Sequence, residues 1–458
     1  MKLKTDWSAV AAAVGGALSL ADGALASDPF DSFSTDSRIP GNGKAFWALK
    51  GARHDAHSFL GAALARGFSG WIVERGKLKP SSPRPPRLIE AADTLKALQA
   101  LAAWHRRRFE IPVVGVTGSN GKTTTKEMIK SIALQVGPVC ASPANWNNQF
   151  GLPLSVLELS EEHRYGVFEL ADSHPGDIDE IARVAHPDVA VITNIGTDHL
   201  GFYSSMQANF DTKAEILKHL AADGFAVLNA DDPWLQALIV DLGARAITFG
   251  RSLTARVRWE KPASLYIDRT RFELRLKGLG AITLANAAAA AAAAVALGLD
   301  SDAIRKGLES FTPPPLRLER LQDASGAWII LDAYNANPSS MRAAITAFCD
   351  EYPDLKKTLV LGDMKELGAS SARFHGELGG WLATLPLDSV YLAGPEMAAA
   401  NAALKNSKPS FGHFWAQAPE AWTDALKQKL ESGRALFFKA SRAMAFETIL
   451  KKLRCSFT

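Results

Sequence analysis

The sequence predicts an α/β fold in three domains, built on largely parallel sheets. Three observations carry that prediction. Short apolar, β-rich runs alternate with stretches of helical periodicity through the middle and the C-terminal third of the chain. One such run, residues 111–116, leads straight into a glycine turn and then a helix. The length, 458 residues, allows two to four domains with large cores.

Residues 111–132 read IPVVGVTGSNGKTTTKEMIKSI, and the chain is organised around them. Gly118, Asn120 and Gly121 break the strand, because glycine and asparagine accept backbone angles that other residues resist. Beyond Lys122, Met128, Ile129, Ile132, Ala133 and Val136 recur at helical spacing. A strand, a glycine turn and a helix start together gather free N–H groups and the positive end of a helix dipole, which suits a phosphate. Lys122 adds a cation, and the Thr123 hydroxyl can ligate the magnesium that accompanies a nucleotide. The strict G-x-x-x-x-G-K-[ST] pattern is not met, since Val116 stands between Gly115 and Gly118. Glycines that merely make a tight turn are the blander reading. Gly-Lys-Thr between a strand and an amphipathic helix favours a nucleotide triphosphate. Gly118, Ser119, Asn120, Gly121, Lys122, Thr123 and Thr124 are therefore the candidate nucleotide-binding residues.

Hydrophobic residues make up 47% and charged residues 22%, as in ordinary globular proteins. A formal charge of +3 gives no electrostatic support to nucleic-acid binding. Cys140, Cys349 and Cys455 stand far apart with no C-x-x-C, so no disulfide framework or cysteine zinc site is expected and a reducing compartment fits. No run reaches the ~20 strongly apolar residues of a membrane span. Residues 1–27 superficially resemble a secretory signal, but Asp6, Asp22 and the Ala/Gly-rich character favour an ordinary amphipathic first helix.

Taken in order, residues 33–60 are turn-rich around a strand near 45–49, with Asp36, Ser37, Arg38, Lys50 and His57 close by. Alone, they read as a solvated loop set. Residues 76–87 look like an extended connection, and 91–108 like a helix leading to the phosphate loop. Strands are expected at 111–116, 167–170, 189–195 and 225–228. Asn145, Asn147 and Asn148 precede a Gly-x-Pro turn, where asparagine is common for local reasons. Glu169 closes a strand, where an isolated buried carboxylate is costly unless paired or metal-bound. Asp198 and His199 fall past the next strand's carboxyl end, where ligands of open α/β sheets collect. Lys213 falls in a helix whose default reading is a solvated face, and Asn286 in an alanine-rich helix expected to be buried. A second α/β unit follows a proline turn at 313–315, with strands at 328–331, 358–361, 390–393 and 436–438. Arg317 stands before the first of these strands, Asp332, Asn335 and Asn337 after it and Asp363 after the next, and polar side chains clustered at strand ends suggest the second wall of a cleft.

Together these stretches resemble the Mur ligase family, colinearly over nearly the whole chain. TGSNGKTTTKEMI is similar to its phosphate loop, NWNNQFGLPLSVL and FELADSHPGDI to its next two motifs, and TNIGTDHLGFYSSMQANFDTKAEIL to its His- and Lys-bearing segment. DAYNANPSSMRAAI and LGDMKELG, with His375 after it, resemble the members that add D-Ala-D-Ala to a UDP-N-acetylmuramoyl-tripeptide. STDSR and ALKGARHDAH resemble a UDP-binding N-terminal domain. A D-N-P-R motif, which marks the diaminopimelate-adding members, is absent.

The resemblance implies an ATP-dependent peptide ligase acting through an acyl phosphate. It implies residues 1–108 as the UDP-substrate domain, 109–312 as the ATP domain and 313–458 as a Rossmann-like ligase domain. Lys122, His199, Lys213 and Arg317 are then the expected catalytic residues. Thr123, Glu169, His199 and a carbamylated Lys213 are the expected ligands of two magnesium ions. Asn286, Arg317, Asp332, Asn335 and Asn337 would join the nucleotide site, and Ser37, Arg38, Lys50, His57, Asn145, Asn147 and Asn148 the substrate site. The expected partners are small molecules alone, for a monomer in the cytoplasm. Five positions depart from the family pattern: Ile282-Thr283 for His-Asn, Gln149 for an acid, Ala56 for Gly, and Leu316 for the Gly before Arg317. The alternatives are a family member that adds a single amino acid and an inactive nucleotide-binding regulator, the latter raised by the Ile282-Thr283 change.

Overall fold

Three sheets, one after another along the chain, carry the architecture of the computed structural model. It describes residues 3–453 except 52–53, 79–82, 199–200, 204, 279 and 409, and of Leu450 the backbone alone. The first sheet has five strands in the order Ala17–Leu20, Arg87–Ala91, Gly70–Glu74, Ala45–Trp47, Phe33–Ser34, all parallel but the first. The expected first helix is shorter than the sequence suggested. It spans Trp7–Val14, capped by Asp6 accepting from Ala9 N at 2.8 Å and ended by Gly15 at φ 61°. The residues after it form the edge strand instead.

The central sheet has nine strands in the order Thr270–Glu273, Ser264–Ile267, Val257–Glu260, Ala246–Gly250, Phe225–Asn229, Val189–Ile192, Val113–Thr117, Tyr165–Glu169, Val139–Ala141. Only the hairpin edge, Val257–Glu260 through Thr270–Glu273, pairs antiparallel. The inner strands are Val-rich and buried on both faces, as parallel sheets require. Strand order reverses at Val113–Thr117, because the next two strands lie to one side and Val189–Ile192 to the other. Ligands of open α/β sheets bind beyond the carboxyl ends at such a point.

Two helices back the phosphate-loop helix, Lys122–Ala133. Gly280–Ala296 buries Ala287 through Ala294 completely, since methyl side chains let it lie close. Ser301–Ser310 approaches so closely at Gly307 that a Cβ there would lie 2.3 Å from Ile132 Cα. Thr94–Arg106 packs on Trp7–Val14 and also on Gly151–Val156 and Asp177–Ala185, joining the first sheet to the central one. The expected Gly-x-Pro turn is the first turn of Gly151–Val156, where Pro153 loses nothing by lacking an N–H. Of the expected connection at 76–87, Arg87 opens a strand and 79–82 lie outside the described residues.

The third sheet runs Glu319–Gln322, Trp328–Asp332, Arg434–Lys439, Lys356–Gly362, Ser389–Ala393, His413–Ala416, parallel except for its first strand. Among the described residues no helix is long and apolar enough to cross a membrane.

Candidate active site

The loop after Val113–Thr117 turns on Gly118 and Gly121, with φ of 130° and 84°. A Cβ on Gly118 would lie 2.1 Å from Thr193 Oγ1, and one on Gly121 2.3 Å from Asn286 Oδ1. Glycine is needed twice over here, for backbone angle and for space. The next strand's end laces the loop in place. Ser119 N donates to Asn194 O at 2.9 Å and Asn120 N to Asn194 Oδ1 at 3.0 Å. Thr193 Oγ1 and Asn194 Nδ2 both donate to Asn120 O, at 2.6 and 3.0 Å. The helix then opens at Lys122 with no side chain capping it, so its leading N–H groups face the crevice as an anion site. Lys122 Nζ folds back onto Gly118 O at 2.5 Å, and Thr124 sits half-buried on the same turn.

Glu169, 2% exposed, ends the neighbouring strand beside that turn. Thr123 Oγ1 donates to its Oε2 at 2.8 Å and Asn147 Nδ2 to its Oε1 at 2.9 Å. Its backbone N–H donates to Ser142 Oγ at 3.1 Å. The carboxylate is thus satisfied despite burial, and a hydroxyl beside a carboxylate is the hard-oxygen pair that magnesium takes. Asn148 has a local task, accepting from Phe150 N and Gly151 N at 3.2 and 2.9 Å, while Asn145 is exposed.

Lys213 is completely buried, against the solvated face that its helix suggested. Its ammonium donates to Asp172 Oδ2 at 2.9 Å and Asn209 Oδ1 at 2.6 Å, and pairs with Asp198 Oδ2 at 3.2 Å. Burial pushes its pKa down, but Asp198 and Asp172 more than offset that and leave it raised. Tyr203 donates its hydroxyl to Asp172, and burial pushes that hydroxyl's pKa up. Asp198 also accepts from Ser119 Oγ and from Asn209 Nδ2, the latter at 2.9 Å, so the cluster reaches the phosphate loop itself. His199 lies outside the described residues.

From the third sheet's side, Asn337 caps the helix Pro338–Glu351 and its Nδ2 donates to Asn120 Oδ1 at 2.9 Å. Ser339 Oγ accepts from Asn120 Nδ2 at 3.0 Å, and Ser339 N donates to Thr197 Oγ1 at 3.1 Å. Asp332 pairs with the buried Lys439, which also donates to Asn335 O at 3.0 Å. Arg317 lies with its guanidinium 3.9 Å from the centre of the Tyr334 ring. Leu316 and Leu318, on either side of it, take φ of 62° and 50°. A left-handed backbone at Leu316 is the conformation for which glycine is the easy residue.

The first sheet's candidates are spread over its loops. Arg38 is bidentate to Asp36 at 2.9 and 2.8 Å and holds that carboxyl's pKa down to about 2. Ser37 is half-buried beside it, and Lys50 is exposed. His57 uses both ring nitrogens, one on Asp55 Oδ1 at 2.5 Å and the other accepting from Glu74 N at 2.9 Å. Sequence reasoning missed Ser142, Asp172, Thr193, Asn194, Asn209 and Ser339, all of which touch the loop or its neighbours. Polar residues directly after a buried strand, as at Thr193 and Asn194, are the signal that could have found some of them.

Residues 116–294 match the Mur ligase middle domain, and 316–442 the Mur ligase glutamate ligase domain. The chain is 35% identical to UDP-N-acetylmuramoyl-tripeptide--D-alanyl-D-alanine ligase of Bacillus subtilis, over 92% of each protein. It is 33% identical to the enzyme of that name from Escherichia coli, over 93% of this chain and 94% of that one. The crystal structure of MurF from Acinetobacter baumannii superposes with a TM-score of 0.88 at 33% identity, over 98% of each chain. MurF ligase from Thermotoga maritima, solved in complex with ADP, gives 0.82 at 32% identity, over 93% of this chain and 97% of that one. On that sequence identity and that fold, the chain belongs to the Mur ligase family.

Proposed function

We propose that this protein joins D-Ala-D-Ala to UDP-N-acetylmuramoyl-tripeptide at the expense of ATP, as the names of its relatives state for them. One observation carries the reading: a glycine loop and uncapped helix start, with Thr123 and Glu169 beside it, meets Asn337 of the third sheet across the crevice. Residues 1–108 would hold the UDP-linked substrate, 109–312 ATP, and 313–458 would close over both.

The tripeptide's terminal carboxylate attacks the γ-phosphorus of ATP, releasing ADP and leaving an acyl phosphate. The amine of D-Ala-D-Ala then attacks the acyl carbon, phosphate departs with the C–O bond's electrons, and the nitrogen loses its proton. The work left to the protein is positioning and charge neutralisation. Gly118–Thr124 would cradle the phosphates, with Lys122 swinging from Gly118 O onto them. Arg317 would meet the γ-phosphate from the far side, and Asn286, Asp332, Asn335 and Asn337 would border the nucleotide. Ser37, Arg38 and Lys50 would take the UDP end, with His57 bracing Asp55, and Asn145, Asn147 and Asn148 would flank the peptide. Contact between the units would exclude water and so protect an acyl phosphate.

Thr123 and Glu169 would hold magnesium, with His199 and a carbamylated Lys213 at a second ion. Bound magnesium supplies charge neutralisation on the β- and γ-phosphates. For Lys213 to serve as a carbamate, its amine must first give up a proton and its pairing with Asp172 and Asp198. The protein would act as a monomer in the cytoplasm.

A coupled phosphate assay tests the whole reading. Phosphate release should require ATP, UDP-tripeptide and D-Ala-D-Ala together. Release that ignores the dipeptide, or that a free amino acid drives instead, overturns it.

A further inference from the structure

Lys126 is completely buried on the phosphate-loop helix, Lys122–Ala133, and no step above uses it. A buried ammonium is costly unless its N–H groups are met, and a well-packed apolar side chain is often as stable in its place. Stability therefore gives little reason for a lysine here, whereas its partners give one. Its Nζ donates to Ser142 O at 2.7 Å and pairs with Glu127 Oε1 at 2.6 Å. Ser142 is buried directly after the edge strand Val139–Ala141, and its N donates to Val167 O at 3.2 Å. Its Oγ accepts from Glu169 N at 3.1 Å.

These contacts form a ring. Lys126 stands three residues after Thr123, on the same face of the helix. The ring runs along the helix from Thr123 to Lys126, across to Ser142 O, and from Ser142 Oγ to Glu169 N. It closes through the 2.8 Å bond from Thr123 Oγ1 to Glu169 Oε2. Adjacent ligands of an octahedral magnesium ion, each at about 2.1 Å, stand about 3 Å apart. The hydroxyl and carboxylate oxygens already lie close to that separation, and magnesium tolerates little departure from its geometry.

We propose that Lys126 is a positioning residue for this oxygen pair. Through Ser142 it fixes how far Glu169 stands from the helix that carries Thr123. The proposal rests on the reading of Thr123 and Glu169 as magnesium ligands and adds the brace that spaces them.

The test is calorimetry of ADP binding, without metal and with manganese as the probe for the magnesium site. Wild type should bind ADP more tightly with manganese than without. Lys126→Met should lose about tenfold or more of that gain, the scale on which groups behind a metal's ligands act, and keep its metal-free ADP affinity. Ser142→Ala keeps the carbonyl that Lys126 holds but not the hydroxyl that Glu169 N meets. It should lose the gain likewise, and it decides alone should Lys126→Met fail to fold. The double variant should bind manganese–ADP no worse than the weaker single one, because both cut one chain of contacts. Losses that multiply, a manganese gain unchanged in Ser142→Ala, or metal-free ADP affinity that falls in step overturn the brace. Wild type whose ADP affinity ignores manganese, or Glu169→Gln that keeps the full gain, overturns the magnesium reading itself, whatever the other variants do.

Discussion

Asn120 of the phosphate loop and Asn337 of the third sheet's first helix cap, 217 residues apart, are joined by a 2.9 Å side-chain hydrogen bond. Asn337 has two jobs that chemistry can separate. Its oxygen caps Pro338–Glu351 by accepting from Ser340 N at 2.8 Å, and its nitrogen reaches the loop. We predict that Asn337→Asp keeps the cap and the melting temperature but lowers the rate of ATP-dependent ligation, since the donor becomes a carboxylate beside the phosphates. Asn337→Ala should lose a further ~1 kcal/mol of stability with the cap. Equal melting temperatures for the two variants would contradict this division.

Gly121 is fixed by space as well as angle. A methyl group there would stand 2.3 Å from Asn286 Oδ1. Gly121→Ala should therefore abolish saturable ATP binding by calorimetry. Adding Asn286→Ala removes the clash but not the positive φ, whose cost for an L-residue is about 1–2 kcal/mol. The double variant should regain weak binding. A double variant no better than the single one would show that angle, not Asn286, sets the requirement.

These cases mark what was legible in the sequence. The inner strands and the phosphate loop could be read because continuous apolar runs and a glycine turn are local patterns. The hairpin edge from Val257 to Glu273 carries the other strand signal, buried Val257 and Trp259 alternating with Arg258 and Glu260, but over four residues only. Lys213 misled for a different reason. Its burial depends on Asp172, 41 residues earlier, and on Asp198, and only the folded chain brings those together. Asn147 looked like a turn residue or a substrate contact, and its amide is spent on Glu169.

Removing the Lys213 ammonium leaves Asp172 and Asp198 buried without it. Breaking one side of a buried ion pair costs about 3–5 kcal/mol, so Lys213→Met should lower the unfolding free energy by that order in urea titrations. The folded-state pKa of Lys213 is raised, so its contribution is complete below the unfolded value of about 10.4 and fades as pH climbs through the folded value. The stability gap between wild type and Lys213→Met should hold steady from neutral pH to about 9 and narrow only in stronger alkali. A gap that closes between pH 7 and about 9 would mean the amine is not held protonated by its aspartates.

Lys122 offers the sharpest separation of the sites. Its ammonium rests on Gly118 O at 2.5 Å, inside the loop it would leave to meet a phosphate, and the first sheet lies elsewhere in the chain. Lys122→Ala should cut phosphate release by about 10³-fold or more, the scale on which a positioned charge stabilises a transition state. Binding of UDP-tripeptide should survive, because we propose that residues 1–108 hold that substrate. Calorimetry of the variant with each ligand decides between the outcomes. Retained UDP-tripeptide affinity with lost ATP turnover supports a division between the units. Parallel loss of both would place the lysine under the two substrates at once and remove that division.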